Sequence, residues 1–315
     1  MTKERTYRNS HSLITAGSNY LDIDAYACMV AMAELLRMKG EEAIAYSSAP
    51  RNYSVCKSLI KDGQITSCLP DEYRAETTGY IIVDVSDPDF IKDGAPLDRV
   101  VEVYDHHVGF EDYWQAKIGD KTHIEFIGAA ATLIYREWKK VGLEDKMSSE
   151  SARLLIAAIL DNTLYLTSSN TTHEDIEAFE ALCKRENVGH EWCASYFSEV
   201  QSRVEADLKN AIFGDLKRIE NNDVLPSVMA QLCVWDADRI LTYLPSIREW
   251  FVSYDSWMIN IIDIKHHCSY FVCDDIYRQE KMSKIFNFEF ENGVAKTLNP
   301  YLRKEIIKKS RRKKW

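Results

Sequence analysis

Asp105-His106-His107 sets a carboxylate and two imidazoles at the end of an apolar run, Val100-Val101-Glu102-Val103-Tyr104. A Val-rich run of that length fits a central parallel strand. Ligands of open α/β sheets gather at the carboxyl ends of strands, where these three residues fall. Such a group suits a metal ion or a phosphate, but adjacent histidines are also ordinary in polar loops, so the tripeptide alone decides nothing. Three further stretches end in the same way. Asp22 and Asp24, spaced i, i+2, fall in a loop between a strand at Ser12–Ser18 and a helix. Asp84 stops the run Tyr80-Ile81-Ile82-Val83, and Asp161 closes the apolar helix Ser151–Leu160. Each acid has a structural excuse, helix capping above all. Asp87-Pro88 is a turn signal and reads as structural. Acids in four segments, together with two histidines and all at element ends, are better explained by a metal cluster. Carboxylate oxygens are ligands for hard divalent ions.

The elements that must position these residues alternate between strand and helix patterns. A helix is expected from Ala25 to Lys39, with Gly40 past its end. A short strand follows at Glu42–Ser48 and a second helix at Asn52–Lys61. The segment Ile124–Ile134 reads as an extended stretch, a small-residue turn and a helix N-terminus. Small residues there let backbone N–H groups approach an anion, or simply let the helix pack tightly on the sheet. Thr172 is placed to cap the helix opening at His173. Beyond Gly189 the pattern changes to a long charged helix at Tyr196–Ile219, strands near Val228–Val234, Trp257–Ile264 and Tyr270–Cys273, and a basic end. The expected fold is therefore α/β: an N-terminal Rossmann-like domain with a parallel sheet (1–190) and a smaller C-terminal mixed α+β domain (195–315), with the active site in the cleft between them.

A chain of 315 residues, 46% hydrophobic and 28% charged, can bury a sizeable core. Its net charge of −10 argues against a general nucleic-acid binder. The start, Met1–Tyr7, lacks the apolar core of a signal peptide, and no run is long enough to span a membrane. The eight cysteines form no Cys-x-x-Cys pair and read as reduced core residues, so a cytoplasmic location is expected. Cys268 and Cys273 flank no convincing zinc set with His266-His267.

In these motifs the chain resembles the DHH phosphoesterase superfamily. The resemblance spans Asp22-Ile23-Asp24, the Asp84 strand, Asp105-His106-His107, Leu160-Asp161-Asn162-Thr163 and the Glu125–Leu133 segment. Within it, the chain looks closest to manganese-dependent inorganic pyrophosphatases and exopolyphosphatases. Asp215-Leu216-Lys217 and Leu302-Arg303-Lys304 resemble that branch's late elements. Arg311-Arg312 is a rival for the second of these, disfavoured because Pro300-Tyr301 leads into Arg303-Lys304. The resemblance implies two Mn²⁺ ions, with Mg²⁺ as the alternative. Asp84 would bridge both, Asp22 would bind the first, and Asp24, His106 and Asp161 the second. Asp105 and His107 are the implied catalytic pair: Asp105 would orient the histidines, and His107 would meet substrate phosphate. Lys217, Arg303 and Lys304 would close over the phosphate. One position departs. The pyrophosphatases carry a His four residues before the first acid of Asp-x-Asp, and here Ser18 stands there, as in exopolyphosphatase-like members that lack this His.

The implied reaction is two-metal hydrolysis of a phosphoanhydride bond in a small substrate, pyrophosphate or polyphosphate, by a chain that could form a homodimer. Acid-rich ligands with imidazole suit Mn²⁺ or Mg²⁺, and two such ions about 4 Å apart activate water and steady both oxygens of a displacement. One alternative is a phosphodiesterase on short oligonucleotides or cyclic dinucleotides. Such branches carry a glycine-rich second domain, whereas after Gly214 this chain has Gly293 alone. The other is a non-catalytic phosphate-ligand sensor, suggested by Ser18 and opposed by the intact acids and histidines.

Overall fold

The computed structural model describes residues 11–311; the start at Met1–Tyr7 and the Arg312–Lys314 part of the basic end lie outside them. The chain divides into two compact units, 1–193 and 194–315.

The first unit is built on five parallel strands in the order β2-β1-β3-β4-β5. They are β1 (Ser12–Thr15), β2 (Ala43–Ala45), β3 (Gly79–Val83), β4 (Val100–Asp105) and β5 (Thr122–Ile124). Helix α1 (Ile23–Met38) follows β1, and α2 (Pro88–Ile91) follows β3. Helices α3 (Glu111–Ile118), α4 (Ala130–Lys140), α5 (Ser149–Asn162) and α6 (His173–Glu186) complete the unit. One core packs Leu13, Ile82 and Val103 of the sheet against Ile91 and Trp114. The indole N–H of Trp114 donates to the Ser86 carbonyl at 2.6 Å, so this large ring is buried without an unmet donor. Because β1, β3 and β4 are neighbours and parallel, their carboxyl ends emerge side by side. That juxtaposition gathers the motifs.

Two expectations need correcting here. Asn52–Lys61 is not a helix but a run of turns. Its backbone is taken by Leu21, which pairs with Pro50 and Asn52, and the Asn52 side chain accepts from Ser54 N at 2.9 Å, a local bond that competes with helix. Asp24 does not lie in a loop: α1 starts at Ile23, capped by Asp22, whose Oδ1 accepts from Ala25 N at 2.9 Å.

Past α5 the chain turns through Leu164, Tyr165 and Leu166, all left-handed (φ 49°, 59° and 64°). Thr163 clamps this turn, its hydroxyl donating to Ile159 O at 2.5 Å and accepting from Leu166 N at 3.0 Å. Thr172 then caps α6 in a reciprocal capping box with Asp175, as its sequence position predicts.

The boundary between the units falls within α7 (His190–Ala206). The second unit carries a mixed sheet in the order β10-β9-β8-β7-β6, with β7 and β8 parallel and the other pairs antiparallel. Its strands are β6 (Lys217–Arg218), β7 (Val228–Val234), β8 (Trp257–Asp263), β9 (Cys268–Val272) and β10 (Val294–Lys296). The helices are α8 (Leu208–Gly214), α9 (Ala237–Leu241), α10 (Leu244–Trp250), α11 (Ile276–Phe286) and α12 (Arg303–Arg311). The long helix expected at Tyr196–Ile219 is broken at Asp207, and its last residues turn into β6 to pair with β7. Edge pairing there outweighs the helical charge pattern. No helix among the described residues is long and apolar enough to cross a membrane.

Candidate metal centre

The candidate site forms where three parallel strands end. Asp84 is the first residue after β3, Asp105 the last of β4, and Asp22 and Asp24 open α1 after β1. Asp84 takes a left-handed backbone (φ 58°), uncommon for a residue with a side chain, while its N–H still bonds Tyr104 O at 2.8 Å. The strand therefore ends in a held, strained corner.

Ligating atoms of Asp84, His106 and His107 lie within 4.8 Å of one another. His106 Nε2 is 3.4 Å from Asp84 Oδ1 and 4.0 Å from Asp24 Oδ2. His106 Nε2 and Asp84 Oδ1 are both buried and have no hydrogen-bond partner, and neither does Asp105 Oδ2. Orphaned buried polar atoms are rare and call for an explanation. The His106 tautomer supplies one. Its Nδ1 lies 3.3 Å from the Ile127 carbonyl, which can only accept, so Nδ1 carries the proton and Nε2 keeps its lone pair. A carboxylate oxygen and an imidazole lone pair facing each other fit a divalent cation between them.

Electrostatics agree. Burial raises the Asp24 carboxyl to about 7, with Asp22 pushing the same way against bonds from Ala130 and Ala131. Burial, then Asp22, Asp24 and Asp105, holds Asp84 well above the usual carboxylate range. His106 is pulled down to about 4, first by burial and then by the charge of His107, so it is neutral at physiological pH. His107 is 65% exposed; desolvation lowers its pKa, but the bond to Asp105 and that acid's charge raise it overall. Asp105 Oδ1 receives both His107 N (3.1 Å) and His107 Nδ1 (2.9 Å), which aims the other ring nitrogen outward.

The anion held by the small-residue turn proves to be a side chain of the chain itself. Ala130 N and Ala131 N each donate to Asp24, at 2.8 Å, and Cys28 Sγ lies 3.4 Å from the same carboxylate. Helix α4 has no side-chain cap of its own, so Asp24 serves as one across a long stretch of sequence. Ser18 points elsewhere: its N–H and hydroxyl both donate to Phe90 O, at 3.0 and 3.1 Å.

Asp161 stands in the last turn of α5, half-buried, outside the tightest group of ligating atoms. In the second unit, Arg303 donates to Asp215 O and Oδ1, each at 2.7 Å, so the two late motifs meet. Lys217 and Lys304 are exposed. His266 Nδ1 lies 3.0 Å from Asp263 Oδ2 rather than in a group with cysteines. Missed from sequence are the Ile127 carbonyl, Asp175 and the identity of the anion that the Ala130 and Ala131 N–H groups hold. The Thr172-x-x-Asp175 spacing could have flagged Asp175 as a cap, but not its reach to Gly128.

The charge pattern makes the metal-stripped protein sensitive to pH. Groups with raised folded pKa stabilise below their unfolded pKa and lose that contribution as pH rises through the folded one. Asp24 loses it up to about pH 7, Asp84 over a range well above that of an ordinary carboxylate, and His107 above the ordinary histidine value of 6.5. His106 works oppositely, adding stability with rising pH from about 4, but this gain ends near the ordinary histidine pKa of 6.5. Melting temperature of the stripped protein should therefore fall from pH 6.5 to 8, by about 2–4 °C for each net proton per pH unit. Saturating Mn²⁺ should flatten the profile. A stripped protein whose melting temperature rises over that range would contradict the acid cluster.

A fold of two α/β units, one carrying acids and imidazoles at adjacent strand ends, defines a candidate metal-dependent protein. No protein-family model matches the chain. It is 25% identical over 291 residues to a Staphylococcus saprophyticus protein named "probable manganese-dependent inorganic pyrophosphatase", covering 87% of this chain and 89% of that one. Others of that name match over about half of their length. Among solved structures, a Methanococcus jannaschii protein described as a family II inorganic pyrophosphatase superposes with a TM-score of 0.62 at 16% identity, covering 95% of this chain and 99% of that one. An exopolyphosphatase-related protein from Bacteroides fragilis gives 0.52 at 13% identity, covering 96% and 91%. These bear out the resemblance to the DHH phosphoesterase superfamily: the homologues carry the name of its manganese-dependent pyrophosphatases, and the two-unit fold is that of family II pyrophosphatases.

Proposed function

We infer that this protein is a divalent-metal-dependent phosphohydrolase that cleaves phosphoanhydride bonds, with pyrophosphate or short polyphosphate as substrate. The observation that carries this is the facing pair of orphaned atoms, His106 Nε2 and Asp84 Oδ1, 3.4 Å apart within a cluster of acids. Names borne by the homologues point to manganese and to this substrate class.

Asp22, Asp24, Asp84, His106 and Asp161 would hold the divalent ions in this reading, and Asp84 would serve both. Divalent ions held there would neutralise phosphate charge and make a bound water more acidic. His106 supplies a neutral nitrogen because the Ile127 carbonyl holds its proton on the far side. His107, steadied by Asp105 and inclined to keep its proton, donates to a phosphate oxygen. Lys217, Arg303 and Lys304 are the binders of the remaining phosphate charge in this reading. Ser18, whose hydroxyl hydrogen goes to Phe90 O, offers no ring nitrogen to an ion; the first metal site would be richer in oxygen, which suits the exopolyphosphatase-like members of the family.

The test is metal-dependent phosphate release from pyrophosphate, triphosphate and longer polyphosphate, beside a dinucleotide and a cyclic dinucleotide. Release from the anhydrides alone, abolished by chelator, is expected; cleavage of only the phosphodiesters would overturn the substrate class. Within the same assay Lys217→Ala should lower turnover about tenfold or more, because an exposed lysine with no structural task is free to meet phosphate, and Mn²⁺ affinity should not move. Equal activity in the variant would remove Lys217 from the site. Arg303→Ala would also lose its bonds to Asp215, so its loss of activity should come with a lower melting temperature.

A further inference from the structure

Asp175, in the first turn of α6, is fully buried, and both of its oxygens are engaged. Oδ2 accepts from Thr172 N and Thr172 Oγ1, each at 2.7 Å, and from Gly128 N at 2.9 Å. Oδ1 accepts from Thr132 Oγ1 at 2.6 Å. The Thr172 bonds close the helix's capping box and would by themselves explain an acid here. The bonds to Gly128 and Thr132 do not belong to that cap.

Gly128 and Thr132 bracket the turn that opens α4. This turn carries the Ile127 carbonyl, which fixes the His106 tautomer, and the Ala130 and Ala131 N–H groups, which seat Asp24. The fit is tight. A Cβ on Gly128 would lie 2.6 Å from Asp175 Oδ2 and 2.6 Å from Thr163 Cγ2. Asn170 Nδ2 adds a bond to Gly128 O at 3.3 Å.

We propose that Asp175 is a positioning residue for the metal centre: by holding the Gly128–Thr132 turn it sets the tautomer of His106 and the seat of Asp24, and through them the affinity for the divalent ion. The inference rests on reading Asp24 and His106 as ligands. Groups that orient ligands from behind change metal affinity by about 10–100-fold when removed.

A plain structural brace offers the contrast. Glu34 accepts from Ser148 N and Ser148 Oγ, each at 2.7 Å, and from Ser151 Oγ, tying α1 to the start of α5 much as Asp175 ties α6 to α4. None of those partners bonds Asp24 or His106.

The experiment titrates Mn²⁺ by calorimetry into chelator-stripped full-length protein, as wild type, Asp175→Ala, Asp175→Asn and Glu34→Ala. It also reads the His106 ring nitrogens by ¹⁵N NMR in the metal-free state. Asp175→Ala should lower affinity about 10–100-fold and turn the single Nδ1–H tautomer into a mixture. Asp175→Asn should restore most of the affinity, since its oxygen can take Gly128 N and Thr172 N while its NH₂ donates to Thr132 Oγ1. Glu34→Ala should melt earlier and change neither readout. Wild-type affinity and tautomer in Asp175→Ala would overturn the proposal while leaving the ligand reading intact, as would an equal loss of affinity in Glu34→Ala. A wild type that binds no Mn²⁺ would overturn both. Should Asp175→Ala fail to fold, Thr132→Val removes one of the four bonds at near-constant volume and is judged by the same readouts, with a smaller loss expected.

Discussion

Asp84→Asn is expected to make the metal-stripped protein more heat-stable and to leave it unable to gain stability from Mn²⁺ or to release phosphate. The two halves of that result share one cause. Asp84 is a nearly buried carboxylate surrounded by Asp22, Asp24 and Asp105, and burial and those charges hold its pKa well above the usual range. Without an ion, the folded state must either keep a proton there or bear the repulsion. Asparagine removes that cost, and its amide can donate to His106 Nε2, 3.4 Å away in the wild type. It also tolerates the left-handed backbone at this position (φ 58°) better than most residues, which makes it a better probe than alanine. The stripped variant should melt about 5 °C or more above stripped wild type. Phosphate release should fall about a hundredfold or more, because the residue read as bridging both ions is gone. Asp87→Asn is the control. Asp87 caps α2, accepting from Asp89 N at 2.9 Å, and asparagine caps as well as aspartate. Melting curves with and without Mn²⁺, run beside the phosphate assay, decide the matter. A stripped Asp84→Asn protein less stable than wild type, or equal losses of activity in both variants, would contradict the assignment.

Asp24→Ala should have the opposite sign on stability and the same sign on metal binding. Asp24 also feels Asp22, so some repulsion disappears with it. Its carboxylate, however, satisfies Ala130 N and Ala131 N, and α4 has no other side chain capping that end. Each buried donor left unmet costs about 1–3 kcal/mol, so the pair outweighs the relieved repulsion. A net loss of about 2–4 kcal/mol is expected, a fall of roughly 5–15 °C for a unit of this size. Mn²⁺ affinity should drop with it, since the loosened turn also carries the Ile127 carbonyl that orients His106. Thermal melts of the stripped pair test this. A melting temperature for Asp24→Ala at or above that of wild type would mean that repulsion, not capping, governs the residue.

These two acids also mark how far the sequence could be read. The strands leading to Asp84 and Asp105 were legible because buried parallel strands are written as mostly apolar runs, interrupted here only by Glu102, and the chemistry sits where the runs stop. The second role of Asp24 was not, because its partners lie 106 and 107 residues away and are backbone groups without a side-chain signature. Asn52–Lys61 reads as a helix until its pairing with Leu21 is known, and that pairing is long-range. The end of the expected Tyr196–Ile219 helix likewise depends on β7 being there to receive Lys217 and Arg218. Local pattern fixed what local forces decide. The tie between Arg303 and Asp215 joins two motifs 88 residues apart, and neither motif announces the other.

The turn after α5 places an unusual stereochemical demand on the chain. Leu164, Tyr165 and Leu166 occupy in succession a backbone region where an L-residue's Cβ crowds the next carbonyl, at about 1–2 kcal/mol each. Valine, isoleucine and threonine, with a second branch at Cβ, are barred from all three positions. Glycine would relax the crowding but multiply the conformations of the unfolded chain, and it would carry none of the packing of Leu164, which is 3% exposed. Drift through this segment is thus hemmed in on both sides. A mirror-image residue meets only one of the demands: a D-leucine at 164 would sit in this backbone without strain, but its side chain would leave Cα along the bond that now carries the hydrogen and lose the buried packing of Leu164. No residue meets both, so the strain stays in place, held by Thr163, two residues beyond Asp161.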